Sequence, residues 1–266
     1  MKARIISAAV MLAIFIPCLI LGGIAFKVLV AIIALFASYE LVHIREQRKV
    51  FPLFIKIMTY VITVLIALNG TNNGNVLNFS FDYRYITFIL FVYLFSMVLI
   101  NDRKKYNIND AFYLSASCLL IGVTFNLILQ LRNYSIYYVI YLFLITTMTD
   151  MFAMEVGKRI GKTKMAPLIS PKKTYEGSIG GVIMGTFIPS IFYMQVIGTT
   201  NPILVVGITM LLSIVAQLGD LSFSSIKRYY EKKDFSDLIP GHGGILDRLD
   251  SIIFVTLIFV ILLSFM

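Results

Sequence analysis

The sequence predicts an all-α, polytopic integral membrane protein with about nine transmembrane helices. Three observations carry that expectation. Of 266 residues, 59% are hydrophobic and only 14% charged, with a mean hydropathy of +0.87, whereas an ordinary soluble domain carries about 25% charged residues. The apolar residues gather into runs of the roughly 20 residues needed to cross a bilayer. The basic residues fall almost entirely on one of the two sides that those runs define.

The runs lie near 5–23, 26–44, 52–69, 85–101, 111–130, 136–156, 177–198, 202–227 and 248–266. The first follows Lys2 and Arg4, continues past Leu21 and meets no A-x-A-like site, so it is expected to be a retained span and not a cleaved signal. Cys18 and Cys118 sit inside apolar runs without metal-like spacing and are expected to be small buried side chains, neither disulfide-bonded nor zinc ligands. No internal repeat is visible. The stretch 69–75 reads as a polar loop, and the short connections elsewhere leave no room for a soluble domain. The chain is therefore divided into an N-terminal part, 1–135, with helices one to five, and a C-terminal part, 136–266, with helices six to nine and the polar loops between them.

A formal net charge of +9 could point to nucleic acid, but the placement of the charges argues against it. With nine spans, all but Lys27, Arg84 and Arg132 of the 23 Lys and Arg residues fall on the side of the N-terminus. Basic residues gather in the cytoplasm, so the N-terminus and the basic loops are expected to be cytoplasmic and Met266 to lie opposite, as in a bacterial-type inner membrane. Arg45, Arg48, Lys49, Arg103, Lys104 and Lys105 read as topology determinants beside anionic lipid. The other cytoplasmic segments mix basic residues with Gly, Pro, Asp and Ser, which is a different pattern.

In the eighth run Gln217, Asp220, Ser224 and Lys227 recur at helical spacing and form one polar stripe. At about 1.5 Å per residue, Asp220 lies roughly 12 Å on the membrane side of Arg228. A carboxylate at that depth must be paired or face water and is a functional candidate; a structural ion pair between helices is the competing account. The segment from Lys233 and Asp234 to Gly241, His242, Gly243 and Gly244 is kept irregular by Pro240 and its glycines, which let backbone approach a ligand closely. Asp247, Arg248 and Asp250 open the last run. Asp at a helix start is often a cap or dipole partner, and Asp250 stays open between that role and a ligand. Asp220 and Asp247, from neighbouring spans with Lys and Arg nearby, suit magnesium and a polyphosphate, since magnesium takes one or two carboxylates plus phosphate oxygens. His242 reads either as a general base or as a side chain that positions phosphate or loop. His43, beside Glu40 and Arg45 at a span end, reads as an interfacial side chain.

The sixth run supplies Asp150, on one face with Thr146 and Gly157. The segment Ser170-Pro-Lys-Lys173-Thr174 then opens the seventh run, so Lys173 stands near a helix N-terminus that favours anions, with Thr174 as its possible N-cap. Gly177, Gly181 and Gly185 repeat every four residues, as in closely packed helices.

The run from Ser224 through Lys227, Arg228, Lys233, Asp234, Ser236, Ile239, Pro240, His242, Gly243, Gly244, Ile245, Asp247, Arg248 and Leu249 to Asp250 resembles the signature of the phosphatidate cytidylyltransferases. Ser170–Gly177 and Gly219-Asp220 are similar to further elements of that family, so the likeness covers roughly the C-terminal half. It implies a dimeric multi-helix membrane fold with a cytoplasm-facing cavity open to lipid, and transfer of CMP from CTP to phosphatidic acid to give CDP-diacylglycerol and pyrophosphate. It implies magnesium, with potassium as a candidate second cation. Asp220 and Asp247 become implied metal ligands, with Asp250 as a further candidate. Lys173, Lys227 and Arg228 are implied catalytic residues, and Ser224, Lys233, Asp234, His242, Gly243, Gly244, Arg248, Asp150 and Ser170 substrate-binding ones. Met151, Met154 and Tyr175 depart from the residues common in the family. Two rival readings are a CTP- or ATP-dependent polyprenol or phytol kinase, and a transporter using Asp150 and Asp220 as ion sites; the glycine-rich loop speaks against transport.

Overall fold

A computed structural model describes residues 2–69, 83–199 and 201–263. Nine α-helices occur among the described residues, and each falls on one of the apolar runs: α1 Lys2–Leu21, α2 Gly23–Glu46, α3 Leu53–Leu68, α4 Tyr83–Ile100, α5 Ile108–Tyr134, α6 Ile136–Ile160, α7 Tyr175–Phe192, α8 Pro202–Tyr229 and α9 Leu246–Leu263. A π-helical turn, Tyr193–Ile197, prolongs α7. The protein is an all-α polytopic membrane protein. Five helices, namely α2, α5, α6, α7 with its π turn, and α8, are long and apolar enough to cross a membrane, while the apolar parts of α1, α3 and α4 are shorter. α9 carries Asp247, Arg248 and Asp250 in its first turns. The loop predicted over 69–75 lies, beyond Asn69, outside the described residues.

One segment differs from the expected irregular loop. Residues between α6 and α7 form a two-stranded antiparallel hairpin, β1 Lys164–Ala166 and β2 Ser170–Thr174, with Lys164 opposite Thr174 and Ala166 opposite Ser170. Its base is closed by Glu176, whose carboxylate accepts the backbone N–H groups of Lys162 and Thr163 at 3.1 Å each, and by Tyr175 N donating to Thr163 O at 3.0 Å. Lys and Pro mask strand character in the sequence, and Pro171 is tolerated because a two-stranded ribbon is all edge.

By its contacts the chain forms two compact units, Met1–Asn133 with Asp234–Asp247, and Tyr134–Lys233 with Arg248–Met266. In the second unit, α6 starts on Ser135, whose Oγ accepts from Tyr137 N; α7 starts on Thr174, whose Oγ1 accepts from Gly177 N at 3.2 Å; α8 starts on Asn201, followed by Pro202 in the first turn. Thr174 is thus the N-cap that the sequence left open. The glycine repeat faces α6: a Cβ on Gly181 would stand 2.7 Å from Thr149 O, one on Gly177 2.6 Å from Ala153 O, and one on Gly185 would overlap the Thr149 side chain. The opposite face of α7 exposes Ile179, Ile183 and Phe187, as lipid-facing side chains do. Inside, Thr149 and Ser213 share a hydrogen bond at 2.7 Å, as do Tyr141 and Thr209, so polar groups buried among apolar helices hold those helices in register.

In the first unit Val42, Phe51, Ile55, Ile66, Ile89, Tyr93, Tyr106, Leu114 and Cys118 form the core. Both cysteines are free thiols. Cys118 is buried and within hydrogen-bond reach of Tyr93 and Thr63, whereas Cys18 is only half-buried, because it lies on the less covered α1. Arg45 and Lys49 converge on Asp110 in the first turn of α5, at 2.8 and 2.5 Å. Two of the six residues assigned to membrane topology therefore also hold a buried carboxylate beside a helix N-terminus.

Candidate active site

The second unit contains a cavity of about 700 Å³ lined by Asp150, Gly157, Lys158, Lys172, Lys173 and Asp220 among others. Its chemistry begins with Asp220. The α8 stripe turns this carboxylate toward β2, where Lys173 Nζ lies 2.6 Å from Oδ2 and also reaches Gln217 O at 3.4 Å. Ser224, one turn along α8, donates to the other oxygen, Oδ1, at 3.2 Å. Gln217, one turn back, binds α7 instead: its amide oxygen accepts from Ser178 Oγ at 2.5 Å and its nitrogen donates to Ser178 O at 3.1 Å. Of the polar stripe read from spacing, Gln217 and Asp220 line the cavity, Gln217 also fastening α8 to α7, while Ser224 supports the Asp220 carboxylate. Lys173 stands, as expected, beside the N-terminus of α7, directly before its N-cap Thr174, and there the hairpin lets it pair with a carboxylate.

Asp150 lines the cavity from α6. It feels the negative charge of Asp220, offset by Lys173. Asp250 is buried in α9, and feels Asp220 and Asp150 against Lys227, itself buried at the end of α8. α8 and α9 can approach closely there because residue 219 is glycine: a Cβ would meet Phe254 at 2.9 Å and Asp250 O at 3.2 Å. Three carboxylates and two lysines thus share one electrostatic neighbourhood in this unit. Among the described residues no three His, Cys, Asp or Glu side chains form a ready-made metal cage. The donors still suit magnesium, which is usually held by one or two carboxylates and completed by substrate phosphate and water; the Lys173 ammonium on Asp220 shows that this carboxylate already accepts a cation.

Other predicted residues have more specific places. Arg228 donates from Nε to Ile169 O at 3.2 Å and from Nη1 to Lys232 O at 2.7 Å, so it braces the hairpin turn against the end of α8. Ser170 opens β2 and is half-buried; Lys233, Asp234 and Arg248 are exposed. Lys158, Lys164 and Lys172, with Met154 and Met165, also line the cavity, and sequence reasoning had assigned none of them a role there beyond flagging Met154.

In the first unit the glycine-rich segment folds on itself, with Ile239 N donating to Gly243 O at 2.8 Å and His242 N to Ile239 O at 2.9 Å. Gly241 and Gly243 have φ of 76° and 81°, the left-handed region that side chains disfavour. Asp247 Oδ2 accepts Phe235 N and Gly244 N, both at 2.9 Å, so this carboxylate closes the loop. His242 Nδ1 lies 2.7 Å from Ser7 Oγ, whose hydroxyl donates to Pro240 O at 3.1 Å. Ser7 thereby ties His242 to the loop backbone.

A profile of the cytidylyltransferase family matches residues 2–266. The chain belongs to the cytidylyltransferase family. The likeness extends well beyond the C-terminal half, where the motifs lie. Proteins called phosphatidate cytidylyltransferase in Staphylococcus haemolyticus and Staphylococcus aureus are each 34% identical over 256 residues, 96% of either chain. One of that name in Staphylococcus saprophyticus is 31% identical over 255 residues.

The Lys173–Asp220 pair yields a direct expectation. Lys173→Gln and Asp220→Asn should each lower kcat/KM for nucleotidyl transfer by about 10²–10³-fold, the scale of losing one preorganised charge contact to a phosphoryl group. Pyrophosphate release by the purified variants measures it, and a loss under about tenfold removes that residue from the site.

Proposed function

We propose that this chain is a phosphatidate cytidylyltransferase, transferring CMP from CTP to phosphatidic acid to give CDP-diacylglycerol and pyrophosphate in phospholipid synthesis. The observation that carries the reading is the cavity of the second unit, where carboxylates and lysines inside a membrane protein share walls with methionines. Such walls suit a polyanionic nucleotide with a divalent cation and, beside it, the phosphate and first acyl carbons of a lipid.

The chemistry asks little of a side-chain base. A phosphomonoester has its second pKa near 6, so the phosphate oxygen of phosphatidate is already a nucleophile. It attacks the α-phosphorus of CTP, the bond from that phosphorus to the oxygen bridging to the β-phosphoryl group breaks, and pyrophosphate leaves with that oxygen. What remains is positioning and charge neutralisation. Lys173 and Lys227 supply fixed positive charge, and Arg228 holds the hairpin that carries Lys173. The folded glycine-rich loop offers backbone amides to CTP phosphates. His242, whose Nδ1 lies within hydrogen-bond distance of Ser7 Oγ, positions phosphate or loop. Magnesium is proposed on Asp220 and Asp247, as the family resemblance implies, and on Asp250 from its shared electrostatic field with Asp220; it would neutralise charge on the phosphate oxygens. Potassium is the proposed second cation.

The test is pyrophosphate release by purified protein in nanodiscs. Release should require CTP, phosphatidate and magnesium together, and ATP or dolichol in place of either substrate should give none. Phosphorylation of a polyprenol without pyrophosphate release would replace this reading with a kinase. In the same assay His242→Gln should keep both limbs of the pH–rate profile and lose far less than the 10²–10⁴-fold typical of a missing general base.

Nine spans with a cytoplasmic N-terminus and active site in the bacterial-type cell membrane are part of the proposal, supported by the basic asymmetry. Cysteines replacing exposed Gln47, Lys104 or Asp237 in a background without Cys18 and Cys118 should label only from the cytoplasmic side, and one replacing Tyr134 only from outside. Labelling of positions 104 and 237 from opposite sides overturns this topology. The homodimer that the resemblance implies is proposed with it, and particle mass in native nanodiscs checks it.

A further inference from the structure

Glu40 plays no part in the mechanism above. It stands in α2, yet its side chain is 0% exposed and both oxygens are in use. Oε1 accepts from Ser236 Oγ at 2.6 Å and from Ile245 N at 2.8 Å, and Oε2 accepts Leu246 N at 2.8 Å. Leu246 is the first residue of α9. A carboxylate from α2 therefore does for α9 what an N-cap side chain does for an ordinary helix, satisfying first-turn amides and facing the positive end of the dipole. Burying a charge this completely is costly unless several donors meet it, and here three do.

The surrounding sequence is fitted to this carboxylate. A Cβ on Gly244 would lie 2.5, 2.6 and 2.7 Å from Glu40 Oε1, Oε2 and Cδ, so the glycine leaves room for Glu40 as well as for a ligand. Asp247 holds the same strip of backbone from its other side through Phe235 N and Gly244 N. Between these two clips lie Gly241 and Gly243, whose positive φ values belong to residues with many alternative conformations. A loop of that composition presents its amides to a polyphosphate in one arrangement only if its ends are fixed, and fixing them in advance removes the ordering cost from binding.

We propose that Glu40 is a positioning residue for CTP: it holds Ser236, Ile245 and the start of α9, sets the shape of the 234–247 loop, and does not touch the nucleotide. This rests on the assignment of that loop to CTP phosphates. Glutamine at this position keeps the length but turns an NH₂ group toward backbone N–H donors, so at least one bond is lost and two donors face each other.

The experiment is steady-state pyrophosphate release by the full-length protein in nanodiscs, varying CTP at saturating phosphatidate and then the reverse. Glu40→Gln should raise the KM for CTP by about tenfold, the worth of one hydrogen bond to a charged group, and leave the KM for phosphatidate unchanged. Ser236→Ala, which removes the hydroxyl that donates to Glu40 and accepts Leu238 N, should raise the CTP KM in the same direction by about threefold, and it decides the matter if Glu40→Gln fails to insert. A lower kcat with both KM values unchanged means fewer active molecules, a merely structural role, and overturns the proposal; so does an unchanged CTP KM in both variants. Wild-type protein inert with CTP and phosphatidate overturns the loop assignment itself, and the two failures are thereby told apart.

Discussion

A carboxylate part-way along a membrane helix must be paired or face water, and that requirement organises the second unit. Asp220 meets Lys173 at 2.6 Å, and much of the local architecture serves to keep that meeting possible. Lys173 is carried by a hairpin whose strand ends in the N-cap of α7. Glu176 closes the hairpin's base and Arg228 holds its turn. Gln217 ties α8 to α7 one turn below the carboxylate. The glycines of α7 bring its axis against α6, which bears Asp150. Each contact is modest in energy, but together they fix a charge pair at a depth where an unpaired charge is costly. The lysine neutralises the acid and the acid the lysine, so neither charge is left bare.

The helices were legible because lipid imposes a coarse rule. Crossing needs about 20 apolar residues, and all nine runs chosen on that ground are helical among the described residues. Asp220, Ser224 and Lys173 were legible too, the first two from helical spacing and the third from its motif. The hairpin was not, because five residues containing proline and two lysines carry no alternating pattern. The sequence put Asp247 ahead of Asp250 as a metal ligand, although residues three apart share a helix face. The fold separates them by partner, Asp247 taking two amides of the loop and Asp250 lying in the field of Asp220. Glu40 was illegible for a different reason. Its donors stand about 200 residues later in the chain, and no local pattern announces a partner at that distance.

The two carboxylates that hold the 234–247 loop resolve an apparent conflict in its sequence. Glycine and proline loosen a chain, yet phosphate recognition by backbone amides needs a fixed one. Anchoring the ends on Glu40 and Asp247 while leaving the middle to glycines gives both close approach and definition. The Ser7 contact extends the principle to the one imidazole in the loop, fixing its place.

The span of these bonds also bears on how the molecule comes into being. Ser7 and Glu40 leave the ribosome early and enter the membrane with the first helices, while Pro240, His242, Ile245 and Leu246 follow only after most of the chain has been made. Contacts of such long sequence separation form late, once the cost of closing the intervening chain has been met. A half-synthesised or truncated chain can insert its early helices but has nothing to complete the 234–247 loop.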